Sequence, residues 1–207
     1  ELLQGLQPDL YRCFMRQTWN NASPMGIVAL VHPETHFTDE KAAPLRSETY
    51  LRLRRHWQFK NELQLYDIDH HNTYGVHVYA ARSSISFLHA TSMYHPDTVE
   101  RSLRHDGSGE QPGFKDPDGG WDLRPHAARI ITVTEDTLSI WHAVLEDESV
   151  PKRQTRMLYT VNRAVADVLQ QLATCQRAGA LEFRSSSGWH EKSDREKGRF
   201  ETRWGMP

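Results

Sequence analysis

The chain has 207 residues, 38% of them hydrophobic and 25% charged, which is enough apolar matter for a core and excludes a disordered polymer. Its net charge of −2 gives no global basic field, so any contact with nucleic acid must come from a local patch. The two cysteines, Cys13 and Cys175, suggest neither a disulfide framework nor a CxxC metal site, and a reducing cytoplasm is the expected compartment. No apolar run approaches the roughly 20 residues of a membrane span and no signal peptide is visible, so no membrane partner is expected. The sequence opens at Glu1 without a methionine and stops at Pro207 straight after a strand-like run. Both ends read as cuts through a larger protein.

In chain order, Pro8 and Asp9 make a good helix start, with the acid near the positive end of the helix dipole. Leu10 and Phe14, then Tyr11, Met15 and Trp19, recur at helical spacing. The turn-rich residues 20–26 stop that helix. Residues 27–31 (IVALV) form a continuous apolar run, read as a strand buried on both faces and as half of a crossover in a parallel sheet. The polar loop 32–38 leaves that strand at its carboxyl end, where open α/β sheets place ligands, so a site is expected there first.

Thr38 or Asp39 can cap a following helix that Pro44 starts or kinks. Its apolar stripe is Leu45, Tyr50, Leu53 and Trp57, with Arg46, Arg52, Arg54 and Arg55 mostly on a solvated face. From Gln58 the period changes to two, and segments 58–66 and 74–80 alternate around the turn-rich residues 67–73. A connection this short demands an antiparallel hairpin, expected at the edge of an otherwise mostly parallel sheet. Further on, residues 84–95 and 130–133 read as strands, 106–120 as a loop, and 135–145 and 161–172 as amphipathic helices. Residues 181–204 read as a β-hairpin. The expected organisation is an α/β domain to about residue 95, then a linker and the start of a target-recognition or helical subdomain over 96–207.

Twelve histidines invite a metal reading. No H-x-x-x-H or H-x-x-C pair lies on a helix, and the adjacent His70 and His71 would point to opposite faces of a strand, so no metal site is expected. Asp69-His70-His71 resembles the motif of the Asp-His-His phosphoesterases, but the Asp-x-Asp pair which that family needs does not precede position 67. Gly-x-Gly-x-x-Gly, P-loop and Gly-x-Ser-x-Gly motifs are absent.

Segments 9–14 (DLYRCF), 26–37 (GIVALVHPETHF), Leu45-Arg46, 74–79 (YGVHVY), 187–191 (SGWHE) and 198–201 (GRFE) carry a resemblance in wording. Together with the order helix, buried strand, His-Pro-Glu loop, helix and hairpin, they resemble the distal half of a class I S-adenosylmethionine-dependent methyltransferase. The family is more narrowly that of the large adenine-specific DNA methyltransferases of bacterial restriction and phage-defence systems. The resemblance implies a Rossmann-like sheet, S-adenosylmethionine as cofactor, and DNA and the remainder of a parent polypeptide as partners. The family's Gly-rich cofactor loop and its Asn-Pro-Pro-aromatic motif do not occur in these residues, so no catalytic residue is assigned and the chain alone is expected to be inactive.

By position in the motif order, the resemblance implies that His32, Pro33, Glu34, His36 and Phe37 line the cleft beside a flipped base. It also makes His70, His71 and Tyr74 candidates for stacking on that base. Residues 184–203 hold six basic residues against four acidic ones, interleaved with aromatics, which makes Trp189, His190, Lys192, Arg195 and Lys197 candidate DNA contacts. A non-enzymatic α/β module that binds nucleic acid or builds a complex is the alternative, and an Asp-His-His phosphoesterase comes after it.

Overall fold

The computed structural model describes residues 2–7, 9–177, 179, 184 and 188–199. The protein is mixed α/β, built on a five-stranded sheet with both parallel and antiparallel pairs. Two compact units divide the chain, Glu1–Thr174 and Cys175–Pro207.

Helix α1 (Leu10–Asn21) is capped by Asp9, whose carboxylate accepts the Tyr11 backbone N–H. Tyr11, Met15 and the half-buried Trp19 face the core at i, i+4 and i+8, whereas Leu10 and Phe14 are exposed. Strand β1 (Val28–His32) follows, and here the structure corrects the sequence reading. It is not buried on both faces: Ile27 and Val31 are exposed, and β1 stands at the sheet edge with one antiparallel neighbour. An apolar run reports an affinity for burial, but long-range pairing decides how many neighbours a strand receives.

Asp39 caps a 3-10 turn (Glu40–Ala42) that leads into helix α2 (Ala43–Arg52), with Pro44 in the first turn where its missing N–H costs nothing. The helix stops at Arg52. Leu53 and Trp57, expected on its stripe, belong instead to strand β2 (Leu53–Lys60), since four-residue spacing between two large side chains suits either element. Of the arginines assigned to solvent, Arg46 is buried, donating to the carbonyls of His36, Asp39 and Gln154 at 2.6–3.1 Å. Arg52 stacks on Trp19 at 4.9 Å.

Strand β2 ends earlier than the alternating pattern, in a 3-10 turn (Asn61–Leu63) closed by Gln64 in the left-handed conformation at φ 51°. It pairs antiparallel with β3 (Thr73–Tyr79), as the short connection requires. The pair is not an edge hairpin on a mostly parallel sheet, however. The order is β1-β3-β2-β4-β5, with β3 inserted between β1 and β2 and antiparallel to both. Strands β1 and β2 therefore run the same way, joined through α2 as in a crossover. Among the described residues the one parallel pair is β2 with β4 (Ser86–Met93), and β5 (Ile131–Thr134) pairs antiparallel with β4 on its other side.

Helices α3 (Pro96–Ser102), α4 (Glu135–Leu145) and α5 (Arg163–Leu172) complete the first unit. Thr134 and Thr137 form a reciprocal capping box at the start of α4, and the Asn162 side chain caps α5. In the second unit, helix α6 (Glu191–Glu196) replaces part of the expected tail hairpin. The His190 imidazole caps it and Glu191 and Asp194 occupy its first turn, a pattern favoured at a helix N-terminus. The parts of that hairpin over 181–183, 185–187 and 200–204 lie outside the described residues. No helix among the described residues is long and apolar enough to cross a membrane.

Candidate functional site

An open pocket of about 680 Å³ lies where two loops meet. Val31 and His32 come from the end of β1, Pro33, Glu34, Thr35 and Thr38 from the loop after it, His71 and Asn72 from the end of the β2–β3 connection, and Thr73 and Tyr74 from the start of β3. Gln58, Tyr66, Ile68 and Tyr159 complete the wall. The β2–β3 connection is shaped by Asn61, whose amide donates to the carbonyls of Tyr66 and Ile68 and accepts the Tyr66 N–H. Tyr66 then stands edge-on to Tyr74, ring centroids 4.8 Å apart, and Tyr74 stacks on Phe59. A planar ligand entering here meets aromatic surface, two side-chain amides and imidazole.

The sequence candidates divide accordingly. His32, Pro33, Glu34, His71 and Tyr74 line the pocket, while His36 and Phe37 are fully buried. His70 is exposed, its ring against that of His71. Asp69, the acid of the Asp-His-His tripeptide, is exposed and accepts the backbone N–H of His71 at 2.8 Å and its Nδ1 at 3.0 Å, a local turn. In the second unit, Trp189, Lys192, Arg195 and Lys197 are exposed, and His190 is the α6 cap. Gln58, Asn61, Tyr66, Ile68 and Tyr159 escaped the sequence reading because no motif marks them; the alternation that exposes Gln58 and Phe59 as opposite-facing was the one available signal.

Beside the pocket lies a buried polar cluster. Across β3, β2 and β4 the register sets His77 opposite His56 and His56 opposite His89, so three imidazoles form one row on one face of the sheet. All three are fully buried, and Glu34, nearly so, reaches in from the loop after β1. His56 Nε2 makes a short hydrogen bond to Glu34 Oε1, and His56 Nδ1 meets His89 Nδ1 at 2.8 Å. His77 Nε2 is 3.7 Å from the same carboxylate oxygen, beyond hydrogen-bond length. No protein-family model matches this sequence, and no curated protein is significantly similar to it.

Burial dominates the electrostatics. It pushes the His77 pKa down to about 3, against a weaker opposing pull from Glu34. His32, His36 and His89 are likewise lowered, burial again the leading cause. For Glu34 burial works to raise the pKa, but His56 and then His77 outweigh it and hold the carboxyl well below the usual range. Glu34 is therefore an ionised carboxylate accepting the Nε2 proton of His56. His32 is neutral: its Nδ1 donates to the Pro33 carbonyl at 2.7 Å, leaving Nε2 to accept from the Tyr79 hydroxyl at 3.0 Å.

Glycine at position 75 makes the cluster possible. A Cβ there would stand 2.2 Å from His77 Cε1 and 2.8 Å from Glu34 Oε1, closer than real contacts allow. Among the described residues, two groups bring three ligand atoms within 4.8 Å of one another: Glu34, His56 and His77, all buried, and the exposed Asp69, His70 and His71. Helical spacing rules miss the first group, because its members come from a loop and two strands.

Proposed function

We propose that this chain forms the base-facing wall of a DNA adenine methyltransferase of the restriction or phage-defence type. A target adenine turned out of the DNA enters the pocket between the two loops, while further polypeptide holds S-adenosylmethionine and the groups that orient the amine. The observation carrying this reading is the composition of the pocket. A purine removed from its stack needs aromatic surface and edge partners. Tyr66, Tyr74 and Tyr159 supply the first, and Gln58, Asn72 and His71 the second, within about 680 Å³.

Two further features support it. The order α1, β1, loop, α2 and the β2–β3 pair is the order of elements on which the sequence resemblance rests. Ile27 and Val31 at the open edge of β1, with Leu10 and Phe14 on α1, leave apolar side chains exposed that additional strands of a parent sheet would cover.

The residues present do not fit the methyl donor. The pocket wall contains no glycine, and β1 leads into His-Pro-Glu rather than a Gly-rich loop. No step of methyl transfer is therefore assigned to this chain. Its contribution is to enclose and stack on the base, about 1–3 kcal/mol per stacked base, far below the roughly 8 kcal/mol or more by which enzymes lower barriers.

Equilibrium titration of the chain with adenine-containing single-stranded oligonucleotides tests the reading. Tyr66→Ala and Asn72→Ala, both on the pocket wall, should weaken binding by about tenfold or more. Binding that ignores both changes, or that is absent, contradicts the assignment. The chain alone should transfer no labelled methyl group from S-adenosylmethionine to DNA.

A further inference from the structure

The row of histidines beside the pocket does no work in base stacking, and its composition asks for an occupant of its own. Three observations converge on Glu34, His56 and His77. Their potential ligand atoms all lie within 4.8 Å of one another in a buried setting. Both ring nitrogens of His77 and the Oε2 of Glu34 are buried without a hydrogen-bond partner. Burying such atoms unpaired costs free energy, which a bound cation offsets by taking the lone pairs of His77 Nε2 and the carboxylate. Finally, the absence of a side chain at Gly75 lets His77 Nε2 and Glu34 Oε1 crowd together, since a Cβ there would sit only 2.6 and 2.8 Å from them.

We propose that Glu34, His56 and His77 form a binding site for one divalent transition-metal ion of the zinc class, held by a Glu34 carboxylate oxygen and by Nε2 of each histidine. Two imidazoles with a carboxylate are a donor set suited to zinc, whereas magnesium and calcium require mostly oxygen ligands. Three protein ligands leave one coordination position open, the pattern of catalytic rather than closed structural zinc sites. Coordination through His56 Nε2 takes the place of its short hydrogen bond to Glu34, with the neutral ring's one proton on Nδ1, toward His89. His89, bonded to the other nitrogen of His56, is the outer partner that fixes the ring's orientation. Glu34 also belongs to the pocket wall, so the ion is reached from the pocket. None of this depends on adenine being the pocket's ligand.

The test uses the whole chain, stripped with a chelator, incubated with zinc chloride and desalted. Elemental analysis should return one zinc per chain. X-ray absorption should show imidazole nitrogen and carboxylate oxygen at about 2.0–2.2 Å, without sulfur at about 2.3 Å. His77→Gln and His56→Gln should each weaken binding more than the roughly 10–100-fold typical of losing an outer partner. His71→Ala, in the exposed Asp69-His70-His71 group, should leave binding unchanged. Circular dichroism in chelator establishes that each variant is folded, and the absorption spectrum of the unmodified chain decides the matter if one is not. Retention of much less than one zinc, sulfur in the first shell, or binding lost with His71→Ala but kept with His77→Gln would overturn the proposal.

Discussion

The two faces of the central sheet are built from the same strands and solve opposite problems. On one face Trp57, Phe59, Tyr74 and Ala90 pack with Met93, Val99 and Ile130 into an apolar cluster. On the other, alternate residues of the same strands give His56, His77, His89 and Thr91, buried beside Tyr79 and Phe87 of a second apolar cluster. The first face gains roughly 25 cal/mol for each Å² of apolar surface removed from water. The second holds the His77 and His89 imidazoles neutral by burial and leaves both nitrogens of His77 and Nε2 of His89 unpaired. Alternation thus tells which residues share a face, but not that the polar face is wet. A dry polar face is a cost to the fold, and such costs concentrate where a ligand is bound.

Acid should separate the faces most sharply. The unfolded chain protonates its histidines near pH 6.5, whereas the folded chain holds the His32, His36, His77 and His89 pKa values below that. Stability is therefore fully present above about pH 6.5 and falls as pH drops toward 3, by up to about 1.4 kcal/mol per pH unit for each such histidine. Glu34, held low, adds a further loss below about pH 4.5, where the unfolded carboxylate takes its proton first. Between pH 6.5 and 5 His77, held near 3, alone removes up to about 2 kcal/mol of the roughly 5–15 kcal/mol stability of a domain, and His32, His36 and His89 act in the same direction. Urea midpoints of the metal-free chain at pH 7.5, 6.0 and 5.0 should fall steeply. A constant midpoint would erase the distinction between the faces.

Phe59→Ala probes the apolar face, where truncating a buried phenylalanine costs about 3–5 kcal/mol. That loss, read from urea denaturation, should be the same at pH 7.5 and 6.0, because no titrating group is removed. Gly75→Ala intrudes on the polar face at His77, and overpacking of this kind costs about 1–3 kcal/mol. The smallest effect belongs outside both faces. Arg153→Ala breaks an ion pair with Glu135 in which both side chains are more than half exposed, and it should shift stability by no more than about 1 kcal/mol.

Much of the local structure was legible in the sequence. Helix α4 occupies 135–145 as its periodicity requires, and β2 pairs with β3 because the connection forbids a parallel return. The errors share one cause, that long-range pairing is invisible in a local window. The apolar run at 27–31 did not reveal that β1 would have one neighbour, nor did Leu53 and Trp57 reveal that they would leave the helix for a strand. The loop 32–38 was singled out, and it does share a pocket with residues 71–74. The histidine row was not foreseeable, since His56, His77 and His89 become neighbours only through the register of three strands. Arg46 was assigned to solvent because a charged side chain on a helix usually is. Its guanidinium is buried because it reaches the carbonyls of His36, Asp39 and Gln154, which together satisfy its donors.

The central claim, that the pocket between the two loops receives a nucleobase, is tested most directly by photocrosslinking a single-stranded oligonucleotide carrying one photoreactive adenine analogue and mapping the attachment by mass spectrometry. Attachment is expected at Tyr66, Tyr74, Tyr159 or His71, suppressed by an excess of unlabelled adenine-containing strand. Attachment confined to residues away from the pocket, or none above the level given by an analogue-free strand, would contradict it.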